Sequence, residues 1–219
     1  LTAADLSRCR LYGILDLGYV DSSEIAGVAG QMIDGGVDLI QLRAKAHPSG
    51  EVATIATALH ETTLRRGVPL VINDHPGITR SVRAEGVHVG QDDLPIAEAR
   101  EIAGLDCVVG KSTHSVDQAI RAFYEGADYI GFGPIFATPT KPDYAPVGLE
   151  EIRKVHEAVR IPIFCIGGIK LDNLPEVIAA GARRVVIVSG LLLANDIALY
   201  ARSAKELLNR QLKTENRKS

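Results

Sequence analysis

Short apolar runs of strand length alternate with longer stretches of helical periodicity along the chain. The strand-like runs are Leu11–Leu15, Val37–Leu42, Leu70–Asn73, Gly86–Val89, Cys107–Gly110, Tyr129–Phe132, Ile163–Ile166 and Val185–Val188. Between them, Glu24–Ile33, Val52–Arg65 and Leu149–Val159 carry apolar residues at helical spacing. The segment Ser115-Val-Asp-Gln118 reads as a capping box that opens a further helix. Eight βα units in roughly 200 residues sit in the lower size range of a (β/α)8 barrel, whereas an open doubly wound sheet usually has about five or six strands. The expected fold is therefore α/β: a single (β/α)8 TIM-barrel domain over residues 1–219, without a linker. Its polar end, 213–219, is expected to fray.

A second pattern runs across the strands. Their beginnings and middles are apolar, while their C-terminal ends carry polar, charged or glycine residues. Strand two ends in Gln41-Leu-Arg-Ala-Lys45, strand three in Asn73-Asp74, and strand four runs into Gly90-Gln-Asp-Asp93. Strand five leads to Gly110-Lys-Ser112, and strand six to Gly133, Thr138, Thr140 and Lys141. Strands seven and eight end in Gly167-Gly168 and Ser189-Gly190. In a barrel all these ends share one face, the face where active sites of this fold are built.

Individual residues leave pairs of readings open. Gln41, Arg43 and Lys45 are spaced by two, so within a strand they share a face; if Leu39 points into the barrel, Gln41 and Arg43 follow it. A guanidinium placed there needs an anion, either a substrate or a structural carboxylate partner. Asp74 and Asp93 end neighbouring strands, and two close carboxylates call for a shared proton or a cation. No His/Cys cluster has zinc spacing, and oxygen ligands beside a phosphate favour magnesium. The bland alternative is that each aspartate caps the following helix. Gly167-Gly168 with Ser189-Gly190 occupy the two loops that form the barrel phosphate pocket, although glycine after a strand also suits a plain turn. His88 reads as a satisfied strand histidine or a catalytic group, His114 as a possible cap for the helix at Ser115, and Tyr12 as packing or pocket lining. No serine has a nucleophile elbow, which argues against covalent acyl chemistry.

Composition narrows the class. The 219 residues are 46% hydrophobic and 23% charged, ordinary for a globular domain, and the net charge of −3 offers no footprint for nucleic acid. Cys9, Cys107 and Cys165 are widely spaced and lie outside any CxxC pair, which fits a reducing cytoplasm. No basic stretch leads into an apolar leader, and no apolar segment has membrane-spanning length, so neither secretion nor a membrane is expected.

Read together, the loops resemble the thiamine-phosphate synthase family. The matching pieces are QLRAK at Gln41–Lys45, IND at Ile72–Asp74, GVHVGQDDLP at Gly86–Pro95 and GKSTH at Gly110–His114. They continue with GADYIGFGPIFATPTK at Gly126–Lys141, IPIFCIGGI at Ile161–Ile169 and VVIVSG at Val185–Gly190. The resemblance spans nearly the whole chain in order. It implies a transferase that joins an aminopyrimidine carrying a diphosphate to a thiazole phosphate and releases pyrophosphate. It implies that Gln41, Leu42, Arg43, Ala44, Lys45, Asn73, Ser112 and Lys141 hold the pyrimidine and its diphosphate, with Arg43, Ser112 and Lys141 taking part in catalysis. Thr138, Pro139, Thr140, Gly168, Val188 and Ser189 match the thiazole-phosphate pocket. Asp74 and Asp93 match the ligands of one magnesium ion per subunit, with Asp93 rather than Asp92 as the second. Two positions depart from the pattern: Gly77 stands where the family usually has Asp, and Ala44 where Glu is common.

The partners implied are small phosphorylated substrates, with a homo-oligomer possible. Loss of a charged leaving group calls for electrostatic catalysis, and the segment from Gly133 to Pro146 is the expected lid. Two rival readings are a thiazole tautomerase on the same barrel and a catalytically silent binder of thiamine intermediates. The two aspartates and the cationic set argue against both.

Overall fold

A computed structural model describes residues 2–138 and 144–215. Its strands are β1 (Leu11–Asp16), β2 (Leu39–Arg43), β3 (Leu70–Asn73), β4 (Gly86–Val89), β5 (Val108–Thr113), β6 (Tyr129–Phe132), β7 (Ile163–Cys165) and β8 (Val185–Ile187). All pair in parallel, each with the next, and β8 closes on β1. The helices are α1 (Ala3–Leu6), α2 (Ile25–Asp34), α3 (Ser49–Arg65), α4 (Pro76–Val82), α5 (Ile96–Ala103), α6 (Val116–Tyr124), α7 (Glu150–Ala158), α8 (Leu174–Ala179), α9 (Ser189–Leu192) and α10 (Ile197–Glu215). The expected (β/α)8 barrel is what forms.

Alternate residues on each strand face opposite ways, and here both ways are inward to protein, so the strands read as unbroken apolar blocks. One set packs outward against the helices: Leu11, Leu15, Ile40, Leu42, Leu70 and Ile72 join Ala29, Met32, Ile55 and Leu59 of α2 and α3. On α3 the buried positions Val52, Ile55, Ala56, Leu59 and Thr63 recur at helical spacing, which is why that segment is a helix with one covered face. Each fully buried Leu or Ile contributes about 1.5–3 kcal/mol.

The other set fills the barrel. Tyr12, Leu39, Val71, Val108, Tyr129, Phe164 and Val186 form an inner core, closed from below by Leu6 and Cys9. Three rings make its floor edge to face: Tyr12–Phe164 at 5.3 Å, Tyr129–Phe164 at 5.6 Å and Tyr12–Tyr129 at 6.1 Å. Gly110 makes room for this floor, because a Cβ there would run into the Tyr129 ring.

The boundaries shift in instructive ways. Strand β2 starts at Leu39 rather than Val37: Val37 N still donates to Met32 O of α2, and the Asp38 carboxylate accepts from Arg10 N and Leu11 N. Strand β5 runs on to Thr113, so Ser112 sits inside a strand rather than beyond one. Half of the expected capping box forms, with Ser115 Oγ accepting from Gln118 N. The Gln118 side chain accepts from His114 N, one residue earlier than the motif predicts. Helix α10 runs to Glu215, and the remainder of the segment expected to fray, 216–219, lies outside the described residues. Among the described residues, no helix is long and apolar enough to cross a membrane.

Candidate active site

A cavity of about 1030 Å³, counting its open mouth, occupies the C-terminal end of the barrel. Its floor is the aromatic layer of Tyr12 and Tyr129, and the strand ends form its wall. Leu39 does belong to the inner core, and Gln41 and Arg43 follow it inward by the two-residue repeat.

One half of the wall is charged. Arg43 Nη1 meets Asp16 Oδ2 at 2.5 Å, and Asp16, at the end of β1, is buried. Asp16 also accepts from Gly18 N at 3.0 Å, which fixes the carboxylate. Of the two anions that the sequence left open for this guanidinium, the structural carboxylate is present, and it is Asp16. Lys45 Nζ lies 3.2 Å from Asp74 Oδ2.

Asp74 has φ of 61°, a left-handed conformation that Asp tolerates better than most residues. Its N–H donates to His88 O at 2.9 Å, one step beyond the last β3–β4 pair, and the turn brings its carboxylate to that of Asp93. Neither aspartate is a helix cap. The residue preceding α4 is His75, the one preceding α5 is Pro95, and Asp93 Oδ2 accepts instead from Gly90 N at 2.7 Å.

Burial, reinforced by the neighbouring Asp93, holds the Asp74 carboxyl above the ordinary carboxylate range. Burial also works to raise Asp93. The hydrogen bond shared with Asp74, the Gly90 N–H and the charges of Lys45 and Lys111 outweigh it and hold Asp93 below that range. Two carboxylates driven apart in this way form a site short of positive charge. No third His, Cys, Asp or Glu joins them in a metal-binding group among the described residues. Two carboxylates with further positions left for substrate oxygens and water is a donor set that suits Mg²⁺.

The opposite half of the wall carries glycine and apolar groups. Gly167 and Gly168 have φ of 98° and 67°, positive values that glycine takes without steric cost. A Cβ on Gly168 would lie 2.7 Å from Phe136 Cβ. Ile166, Val188 and Ser189 complete this side with Thr138. Asn173 Nδ2 donates to Gly168 O at 2.9 Å, and Tyr200 of α10 accepts from Leu171 N at 2.9 Å, so the loop after β7 is held at two points.

Between the halves stand Asn73, His88 and Ser112, with His88 Nε2 2.9 Å from Ser112 Oγ. The cavity thus brings together Tyr12, Gln41, Arg43, Lys45, Asn73, Asp74, His88, Asp93, Ser112, Thr138, Gly168, Val188 and Ser189, all expected from sequence. Leu42 and Ala44 face the other way, buried in the layer between strands and helices, because they alternate with Arg43. Pro139, Thr140 and Lys141, together with part of the expected lid, lie outside the described residues.

Asp16, Tyr129 and Lys111 were missed by the sequence reading. Lys111 is buried and donates to Gly90 O at 2.7 Å, bracing the loop of Asp93 from behind. A lysine inside an otherwise apolar strand was the available signal. The side chain of His114, weighed as a cap, instead stacks on Tyr144 with ring centroids 3.9 Å apart.

Comparisons with known proteins agree with one another. The family model described as thiamine monophosphate synthase matches residues 11–191. The thiamine-phosphate synthase of Chloroflexus aurantiacus is 40% identical over 210 residues, covering 95% of this chain and 97% of the relative. That of Shouchella clausii is 43% identical over 189 residues, covering 86% and 90%. A solved structure of thiamine phosphate pyrophosphorylase from Pyrococcus furiosus superposes with a TM-score of 0.85 at 31% identity, covering 94% of this chain and 98% of that one.

Proposed function

The chain belongs to the thiamine monophosphate synthase family, and from that premise we propose that it condenses an aminopyrimidine methyl diphosphate with a thiazole phosphate, yielding thiamine phosphate and pyrophosphate. The observation that supports this reading best is the divided cavity. One wall gathers Arg43, Lys45, Asp74 and Asp93, the other offers Gly168 and Ser189, and one space joins them. Two anionic substrates of different shape need such a division.

The bond that breaks joins the exocyclic methylene of the pyrimidine to a diphosphate oxygen, whose electron pair leaves with pyrophosphate. The aminopyrimidine ring spreads the positive charge left behind. The thiazole nitrogen then supplies the pair that forms the new C–N bond. Arg43 and Lys45 stand where they can stabilise the negative charge growing on the leaving group, and Lys141 is assigned the same duty. Gln41 and Asn73 orient the pyrimidine, and Ser112 donates a hydrogen bond towards the leaving-group side. Asp74 and Asp93 would hold Mg²⁺, which when bound adds charge stabilisation on the diphosphate oxygens. Thr138, Pro139, Thr140, Gly168, Val188 and Ser189 are assigned to the thiazole phosphate. The apolar rim of Ile166 and Val188 keeps water from the electron-deficient carbon.

Mixing the chain with both substrates and magnesium should release pyrophosphate and thiamine phosphate in equal amounts. Pyrophosphate release without the coupled product, or no release at all, would refute the reading.

A further inference from the structure

A line of hydrogen bonds crosses the inside of the barrel along the lining of the cavity. Gln41 Nε2 donates to the Tyr12 hydroxyl at 2.7 Å, and the Tyr12 and Tyr129 hydroxyls lie 3.1 Å apart. Tyr129 is 3.1 Å from His88 Nδ1, and His88 Nε2 is 2.9 Å from Ser112 Oγ. The five residues come from β2, β1, β6, β4 and β5. Gln41, Tyr12, Tyr129 and His88 are all buried.

A hydroxyl has one proton to give, and neutral imidazole has one donor nitrogen and one acceptor nitrogen. These counts make the line directional. Tyr12 receives a proton from Gln41, and leaving its own O–H unmatched in a buried site would cost about 1–3 kcal/mol, so it donates to Tyr129. By the same reasoning Tyr129 donates to His88 Nδ1. His88 then carries its proton on Nε2 and donates to Ser112 Oγ. Burial first of all drives both phenols above their ordinary range, so both keep the protons this ordering needs.

We propose that this line is polarised from Gln41 to Ser112, which fixes His88 as the Nε2–H tautomer and leaves the Ser112 proton to point into the cavity. Tyr12, Tyr129 and His88 are then positioning residues. The opposite polarity would spend the Ser112 proton on His88 and turn only oxygen lone pairs towards an anionic leaving group. The proposal rests on the reading of Ser112 as a hydrogen-bond donor to the pyrimidine diphosphate. It also gives a reason for tyrosine rather than phenylalanine at two floor positions: the rings pack, and the hydroxyls set a direction.

Two measurements test it. In the full chain labelled with nitrogen-15 histidine, with the signal assigned by its loss in His88→Gln, Nε2 of His88 should be pyrrole-like and Nδ1 pyridine-like. A proton on Nδ1 would overturn the proposal. In kinetics, Tyr129→Phe keeps the ring and should lower kcat about tenfold, with KM for the thiazole phosphate unchanged; Tyr12→Phe should cost less, about threefold, because Tyr129 still donates to His88. In a Ser112→Ala background the Tyr129→Phe change should cost less than about twofold, since the group it orients is gone. Equal losses in both backgrounds would show a packing role and sink the idea. If the chain formed no thiamine phosphate at all, the proposed function would fail, and the tautomer measurement would still decide the polarity.

Discussion

The two walls of the barrel mouth are built in opposite ways. The wall built by β1 to β4 uses charged side chains that already hold one another: Arg43 with Asp16, Lys45 with Asp74, and Asp93 with Gly90 N–H. The wall built by β7 and β8 uses backbone shape. Gly167 and Gly168 sit at positive φ, and among the described lining residues from Gly131 to Ser189 there is no Asp, Glu, Lys or Arg. A charged wall must have partners while empty, because an isolated buried ion suffers a large desolvation penalty. Under the proposed function it would exchange those partners for the substrate. A backbone wall has nothing to exchange, so it contributes position rather than charge.

The largest effect should come from removing the shared negative charge. Asp74→Asn and Asp93→Asn should each lower kcat on the order of 1,000-fold, read by pyrophosphate release at saturating magnesium. Without metal, Asp74→Asn should melt no earlier than the parent, and about 2–4 °C later if relief of carboxylate repulsion is worth ~1 kcal/mol. A large stability loss with activity retained would reverse the roles assigned to this wall.

Next comes the Arg43–Asp16 pair. Arg43→Ala should cost about 100-fold in kcat/KM for the pyrimidine diphosphate. Asp16→Asn leaves a guanidinium unpaired and should destabilise the empty protein by about 1–3 kcal/mol. Pyrophosphate with magnesium should then raise the Tm of Asp16→Asn more than that of the parent, because the ligand replaces the lost partner. An equal rise in both proteins would mean that Arg43 never changes partner.

On the other wall, Gly168→Ala faces both the positive φ and the Phe136 contact. Its KM for the thiazole phosphate should rise about tenfold, with KM for the pyrimidine diphosphate within about twofold. Comparable shifts in both KM values would show that the walls are not independent. The smallest effect is expected at Asp92, which is exposed and off the cavity. Asp92→Ala should stay within about twofold in kcat; a loss matching that of Asp93→Asn would reassign the metal ligand.

Much of this site was legible in sequence because barrel strands advertise themselves. Strands covered on both faces read as unbroken apolar blocks, and any charge at their C-terminal ends has to be explained. That reasoning located Arg43, Lys45, Asp74 and Asp93. The two-residue repeat also placed Gln41 beside Arg43. The same repeat turns the side chains of Leu42 and Ala44 to the helices, so any part these two take in holding a substrate falls to their backbone. Lys111 was overlooked because its partner, Gly90 O, lies on the neighbouring strand's loop.

Sequence alone determined the order of eight strands and helices, the face on which chemistry is placed and most of the residues there, because periodicity and strand-end polarity are local properties. Tertiary structure decided who is paired with whom. Asp16 and Arg43 are 27 positions apart, and Tyr12 and Tyr129 are 117 apart. The register of β1 on β2 sets Asp16 opposite Arg43, the closed barrel brings Tyr129 of β6 across to Tyr12, and no local pattern encodes either. Pairing of β3 with β4 settled that Asp74 turns towards Asp93 instead of capping α4, since its N–H donates to His88 O one step beyond the last register pair. The direction of the Gln41-to-Ser112 line has the same origin: each proton is placed by a neighbour on another strand, and only the closed barrel brings those neighbours within reach.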